Sequence, residues 1–286
     1  MKRWVPWYAK IAAKLVLSRL PLGYAFWRKI NLFVHGSMHE PGYAHKVYRL
    51  HFDRSPFARK HSGFVALEVG PGDSLLSAIV AKAYGARACY LIDSGAFAIE
   101  DMAPYQATGN YVRSLDLSPP DLSDVSDVKG VLAKCDAVYK TQGLSSIREV
   151  PSGSVDFIWS QAVLEHIRRR EFLDFMRELR RVLRPDGVCS HRVDLRDHLG
   201  GALNNLRFSP RQWESDWMAS SGFYTNRIRY GEMIDLFGKA GFGVEVLGVD
   251  RWKRLPTPRR AFDVLFRSSP DEDLLVSGFD VLLHPT

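Results

Sequence analysis

From Phe64 onward the chain alternates short apolar runs of strand length with stretches of helical periodicity, and this order constrains the fold more than any single residue does. Phe64 to Gly70 (FVALEVG) reads as a buried strand, Ser74 to Ala83 as a helix, Ala86 to Asp93 (ARACYLID) as a second strand and Gly95 to Tyr105 as a second helix. Strands separated by helices are joined by crossovers, which places them parallel in one sheet with helices on both faces. The pattern continues through a short strand near Ala137 to Lys140 and another at Val155 to Ser160. A helix follows at Glu171 to Leu183, with Phe172, Phe175, Met176, Leu179 and Val182 on its apolar side. Arg184-Pro185-Asp186-Gly187 reads as a breaker before a strand from Val188 to Leu195. Gly231 to Ala240 reads as a late helix, and Phe242 to Val249 and Phe279 to Leu283 as the last strands. The stretch 196–241 is long for a connection, which marks about 196–230 as a lid-like insertion.

Composition sorts the ends from the middle. Hydrophobic residues make up 46% of the chain, enough for a real core, and the three cysteines, Cys89, Cys135 and Cys189, have neither metal-ligand spacing nor an even number. A reducing, cytoplasmic setting is the expectation. The net charge of +7 is carried by Lys2, Arg3, Lys10, Lys14, Arg19, Arg28 and Lys29, which precede the first acid, Glu40. The remainder is balanced and lacks the basic stripe of a nucleic-acid binder, so no nucleic-acid partner is expected.

Residues 1–62 are therefore set apart as a basic, aromatic-rich helical extension, with 63–286 as the main domain. Within the extension Pro6 can open a helix running to about Leu20, with Lys10 and Lys14 on one face and Ala12, Val16 and Leu20 turned away. Charges break its apolar runs well short of the roughly 18 residues a membrane span needs. Packing as a lid is the favoured reading of residues 1–36. Peripheral contact with the inner face of an anionic membrane is the alternative. Residues 40–62, rich in His, Pro and Arg, read as a connector.

The chemistry begins at Glu68-Val69-Gly70-Pro71-Gly72-Asp73, where a strand runs through a glycine turn into a helix. Glycines admit a ligand close to the backbone, and the helix start offers free N–H groups. Leu75 stands where a dinucleotide fingerprint needs its third glycine, and no GK[ST] follows, which argues against a dehydrogenase or a phosphate-binding loop. Glu68 has no use for a phosphate but suits a cationic amino-acid head group. Asp93, ending the next strand, is placed to accept hydrogen bonds from a ribose diol, although Asp93-Ser94-Gly95 would also cap a helix.

These residues resemble the class I S-adenosylmethionine-dependent methyltransferases, strongly over Phe64 to about Asp194 and loosely beyond. Glu68 to Gly72 (EVGPG) is similar to the family's first motif and Asp93 to its ribose-binding acid. Ser154 to His166 (SVDFIWSQAVLEH) resembles its fourth-strand segment, and Leu179 to Gly187 (LRRVLRPDG) the turn before its fifth strand. The resemblance implies a Rossmann-like, seven-stranded, mostly parallel sheet. It also implies an S-adenosylmethionine site of Glu68, Gly70, Pro71, Gly72, Asp93, Ser94, Gln142 and Gln161. Gln142 stands where many relatives carry an adenine-binding acid. Glu165-His166 recurs among relatives with unrelated substrates, so it is read as mainly structural.

His191-Arg192-Val193-Asp194-Leu195-Arg196-Asp197-His198 leaves the fifth strand at the ligand-binding edge. Methyl transfer to an alcohol needs a general base, and His198 assisted by Asp197 or Asp194 fits that role. The same three residues are the candidate ligands of a divalent cation, ranked below metal-free catalysis because magnesium demands near-ideal oxygen geometry. A third reading has the two aspartates capping a helix near His198 and pairing with Arg192 and Arg196. His191, Asn205, Arg207 and Tyr224 are the candidate acceptor contacts, since amides, guanidinium groups and aromatic rings suit a polyol. The function expected is O-methylation of a hydroxylated small molecule, sugar or glycan. N- or C-methylation and a non-catalytic S-adenosylmethionine-binding module are the alternatives.

Overall fold

The computed structural model describes residues 6–17, 37–59 and 63–286. Trp4, Tyr24, Phe26, Trp27, Phe33 and the expected helix end near Leu20 lie outside the described residues.

Seven strands form one sheet: β1 (Phe64–Val69), β2 (Ala86–Ile92), β3 (Ala137–Lys140), β4 (Val155–Gln161), β5 (Leu183–Asp194), β6 (Phe242–Arg251) and β7 (Val276–Pro285). Their order is β3-β2-β1-β4-β5-β7-β6. β1 to β5 are mutually parallel, whereas β7 runs antiparallel between β5 and β6. The reversal of strand order beside β1 opens a crevice at the carboxyl ends of β1, β2 and β4, the usual place for a ligand in an open α/β sheet.

Alternate residues of each central strand feed two separate cores. Phe64 and Ala66 of β1 and Phe157 and Trp159 of β4 face one layer, while Val65, Leu67, Val69, Val155 and Ile158 face the other. Both faces are covered, so these strands read as continuous apolar runs. The first layer holds α1's successor α2 (Pro41–Phe52), then α3 (Leu76–Ala83) and α4 (Ala103–Arg113); α1 itself spans Trp7–Leu17 and lies elsewhere. α5 (Val128–Lys134) adds Val131 to that layer. The second layer is built from α6 (Leu144–Arg148), α7 (Phe172–Val182) and, after the short helices α8 (Pro210–Trp213) and α9 (Asp216–Ala219), α10 (Tyr230–Lys239).

Three expectations are corrected. The stretch 40–62 is no simple connector: α2 buries Ala44, Val47, Tyr48 and Phe52 in the main core. Its two buried histidines had disguised it as polar; His45 is paired with Tyr84, and His51 with Ser190 and Gln161. No helix spans Gly95 to Tyr105. The helix starts at Ala103, where Pro104 fits the first turn, and the preceding loop is tied down by the Ile99 N–H on the Asp73 carbonyl. Arg184 to Gly187 does not separate helix from strand, because β5 already begins at Leu183, paired with Val155 across a register irregularity.

The insertion makes its own small core. Ile11 and Leu15 of α1 pack with Leu199, Trp213, Met218, Phe223 and Tyr224, and Trp7 meets Phe208 edge-on. The buried stripe of α1 is thus Ile11 and Leu15, while Val16 is 66% exposed and Ala12 is also exposed. The face expected to be apolar is turned by one residue. No helix among the described residues is long and apolar enough to cross a membrane.

Candidate active site

The glycine turn closes β1 in a conformation only glycine adopts without strain. Gly70 has φ +72° and Gly72 has φ +67°. A Cβ on Gly70 would stand 2.6 Å from Val163 Cγ2, so the turn is also packed directly against the loop that follows β4. The Gly72 N–H donates to Asp93 Oδ2 at 2.9 Å and the Ser94 N–H to Oδ1 at 2.7 Å. The Ser94 hydroxyl lies 3.5 Å from the same Oδ1. The Gly143 N–H donates to the Asp93 carbonyl, and Gly143, at φ +53°, sits against Ser94 Cα. Asp93, Ser94 and the Gln142-Gly143 turn therefore meet at the carboxyl ends of β1 to β3, with Ser94 and Gln142 exposed and Pro71 buried behind them.

Two members of the expected cofactor set are turned elsewhere. Glu68 is 2% exposed and accepts a hydrogen bond from the Ser77 hydroxyl on α3. Burial pushes its carboxyl up to about 8, the Ser77 bond offsetting only part of this, so at neutral pH it carries little charge for a cationic head group. Its role here is to brace the turn from below. Gln161 extends from β4 toward α2, where its Oε1 lies 3.0 Å from His51 Nε2. Burial holds His51 down at about 4, so it is neutral and donates this bond.

The expected catalytic trio separates. Asp197 is 3% exposed, and its carboxylate accepts the backbone N–H groups of Leu199, Gly200, Ala202 and Asn204 and the Asn204 side-chain amide. Those bonds organise the start of the insertion and leave it no part in assisting His198. Burial would raise Asp194, but the Arg196 guanidinium, bonding both of its oxygens, holds it below the usual carboxylate range. The capping and pairing reading holds in part: Asp197 accepts backbone N–H groups and Asp194 pairs with Arg196, whereas Arg192 pairs instead with Asp280 and Asp250, and residues 198–203 form turns and bends rather than a helix.

His198 meets a partner that the sequence reading set aside. Its ring stacks on His166 with 4.7 Å between centroids and an interplanar angle of 11°, and the two Nε2 atoms are 3.0 Å apart. His166 Nδ1 lies 2.9 Å from the Tyr224 carbonyl, which can only accept. That bond fixes the proton on Nδ1 and leaves Nε2 with its lone pair. Glu165 is 1% exposed, and neither carboxylate oxygen has a hydrogen-bond partner. Burial raises it to about 8. The preceding Ala162 holds φ +55°, a conformation worth roughly 1–2 kcal/mol of strain in a non-glycine residue. Such strain gathers at functional turns. The segment 224–229 clamps this turn: the Asn226 N–H donates to the Glu165 carbonyl, and its side-chain amide donates to the carbonyls of Leu164 and Ile167.

The expected acceptor contacts are largely spent within the fold. His191 is fully buried, bonded through Nδ1 to Ser160, and pushed down to about 3 by burial and then by His51. Tyr224 donates its hydroxyl hydrogen to Glu214, and Arg207 lies over the Trp7 ring while bonding Asn204. Asn205 donates to Thr225 but keeps an unpartnered, buried Oδ1. It faces a small pocket shared with Glu165, Asp194, Arg227 and Arg229.

Residues 94–190 match a methyltransferase domain family. The match starts immediately after Asp93 and takes in Gln142, Gln161, Glu165 and His166, in a sheet of the order given above. This stretch of the chain is similar to a methyltransferase domain, and the S-adenosylmethionine that the resemblance implies fits the glycine turn with Asp93. Among solved structures, the CurJ carbon methyltransferase is 12% identical over 86% of this chain and 54% of its own, with a TM-score of 0.44. The chain thus spans about half the length of that relative. The protein bound to the Trm112 methyltransferase activator of Haloferax volcanii is 14% identical over 96% of this chain and 98% of its own, with a TM-score of 0.43. YcgJ of Bacillus subtilis is 15% identical over 84% and 96%, with a TM-score of 0.43. No curated protein matches the chain.

Proposed function

We propose that this methyltransferase domain acts on a hydroxyl oxygen of a small-molecule or sugar acceptor. The observation behind this reading is the His166–His198 pair at the exits of β4 and β5, on the sheet edge that carries Gly70, Gly72 and Asp93. S-adenosylmethionine, which Gly70, Gly72 and Asp93 would hold, would supply an electrophilic methyl group on a sulfonium sulfur, the sulfur keeping the bond pair when the methyl group passes to the acceptor oxygen. An alcohol oxygen is a poor nucleophile until its proton leaves. His166, held with its proton on Nδ1 by the Tyr224 carbonyl, offers a basic Nε2, and His198 beside it shares the accepted proton. A neutral amine nitrogen is already nucleophilic and depends less on such a base.

In the same reading Asp93 holds the ribose hydroxyls, and the Ser94 and Gln142-Gly143 turns border the adenine. The insertion of about 196–230, with α1 packed on it, covers the acceptor side. The burial of Ile11 and Leu15 against that insertion supports α1 as part of the lid rather than as a membrane anchor. The test is release of S-adenosylhomocysteine with matched hydroxyl and amine acceptors, comparing the wild type with His166→Ala and His198→Ala. Turnover on hydroxyl acceptors that falls at least about 100-fold in both variants supports the proposal. Turnover confined to amines, or indifferent to both histidines, refutes it.

A further inference from the structure

Glu165, His166 and His198 converge, and of these only His198 belongs to the ligand set expected from the sequence, Asp194, Asp197 and His198. One ligand atom from each lies within 4.8 Å of the others. The His166 and His198 Nε2 atoms are 3.0 Å apart, a separation common to an N–H···N hydrogen bond and to two nitrogen ligands about 2.1 Å from one ion at a right angle, and the near-parallel rings must turn to aim both lone pairs at one point. What favours a bound cation is Glu165, whose two buried oxygens lack any partner. A buried carboxylate left unsatisfied is costly, and metal coordination is one of the few ways to satisfy it.

The surroundings match how metal-binding histidines are usually held. His166 gives its Nδ1 proton to a backbone carbonyl, which orients the ring and frees Nε2. Two imidazoles and one carboxylate on one side of an ion leave its other positions open, the arrangement that suits transition metals rather than magnesium or calcium. We propose that Glu165, His166 and His198 bind one divalent transition-metal ion. The aspartates take no part, Asp197 being committed to the insertion and Asp194 to Arg196. With both Nε2 lone pairs on the ion, the ion would acidify the acceptor hydroxyl as a Lewis acid in place of the His166 base; that role rests on the O-methylation reading, whereas binding does not.

The experiment uses the full, tag-free chain, freed of metal by chelator and dialysed against Co²⁺ or Zn²⁺. The expected result is one ion per chain, with Co²⁺ giving a ligand-field spectrum of mixed imidazole and carboxylate ligation. Glu165→Gln and His198→Ala, each checked for native circular dichroism, should weaken binding by more than the roughly 10- to 100-fold that loss of an outer-shell partner costs. Failure of the wild type to take up a stoichiometric ion, or equal uptake by both variants, overturns the site. S-adenosylhomocysteine release with hydroxyl acceptors is followed in parallel on loaded and chelated protein. Stoichiometric uptake without hydroxyl methylation overturns the proposed function and leaves the site standing. Equal rates with and without metal overturn the ion's catalytic role.

Discussion

Gly70→Ala tests how the cofactor turn is coupled to the histidine turn. Two costs are separable. At φ +72° an alanine sits in the left-handed region, at a cost of about 1–2 kcal/mol. Its Cβ would also lie 2.6 and 2.8 Å from the two γ carbons of Val163, far inside the roughly 3.5–4.0 Å of good carbon contact. A β-branched side chain has little freedom to swing away, so the turn itself must move, at about 1–3 kcal/mol. The expected loss is therefore roughly 2–5 kcal/mol, measured by denaturant unfolding followed by circular dichroism and extrapolated linearly. Val163→Ala in the same chain removes the clashing carbons but not the backbone strain, so the double variant should recover about 1–3 kcal/mol relative to additivity. Because Val163 lies two residues before Glu165, Gly70→Ala should also lower methyltransferase activity more than its stability loss explains. A Gly70→Ala protein within about 0.5 kcal/mol of wild type, or strictly additive single variants, would refute the packing described here.

Other outcomes follow from the buried titratable groups and from α1. The Glu68 carboxyl at about 8 lies above its ordinary 4.5, so the native state holds a proton that the unfolded chain releases between those values. Stability then falls as pH rises through that window, by up to about 1.4 kcal/mol per pH unit. Glu68→Gln should flatten the pH 5 to 8 profile, leaving the share due to Glu165, and parallel profiles would contradict this. His51 and His191, held at about 4 and about 3, give the opposite sign: the unfolded chain binds protons first, so stability is lost as pH falls below about 6.5. Ser160→Ala combined with His191→Leu should soften that acid limb, and an unchanged acid midpoint counts against it. Trp7→Ala removes the contacts with Phe208 and Arg207, worth about 1–2 kcal/mol, and should speed proteolysis within 196–230 while sparing cofactor affinity. Cleavage at the wild-type rate would mean that α1 does not hold the insertion.

The strands were legible because nothing competes with their signal. β1 and β4 are apolar on both faces, and only a doubly covered parallel sheet accommodates that. α2 was hidden because its buried face includes His45 and His51, residue types that composition assigns to the surface until their partners are known. The glycine turn and Asp93 were legible together, whereas Glu68 was misjudged because its position in the motif does not show which way the carboxyl turns. Asp197 shows the limit most clearly: a carboxylate that accepts backbone N–H groups and one that assists a base look alike in sequence. The pairing of His198 with His166 did leave a trace. Gln161 lies opposite Arg192, and the two histidines follow five and six residues later in the segments that leave these neighbouring strands, a register that requires knowing that β4 and β5 are neighbours.

The most direct test of the cofactor site is calorimetric titration of the full chain with S-adenosylmethionine, alongside Asp93→Ala and Gly72→Trp. Asp93 is expected to hold the ribose diol and Gly72 to pass close to the cofactor, so the wild type should bind in the micromolar range and both variants should lose that binding. Undiminished binding in both variants would contradict the site built on the β1 turn and the end of β2.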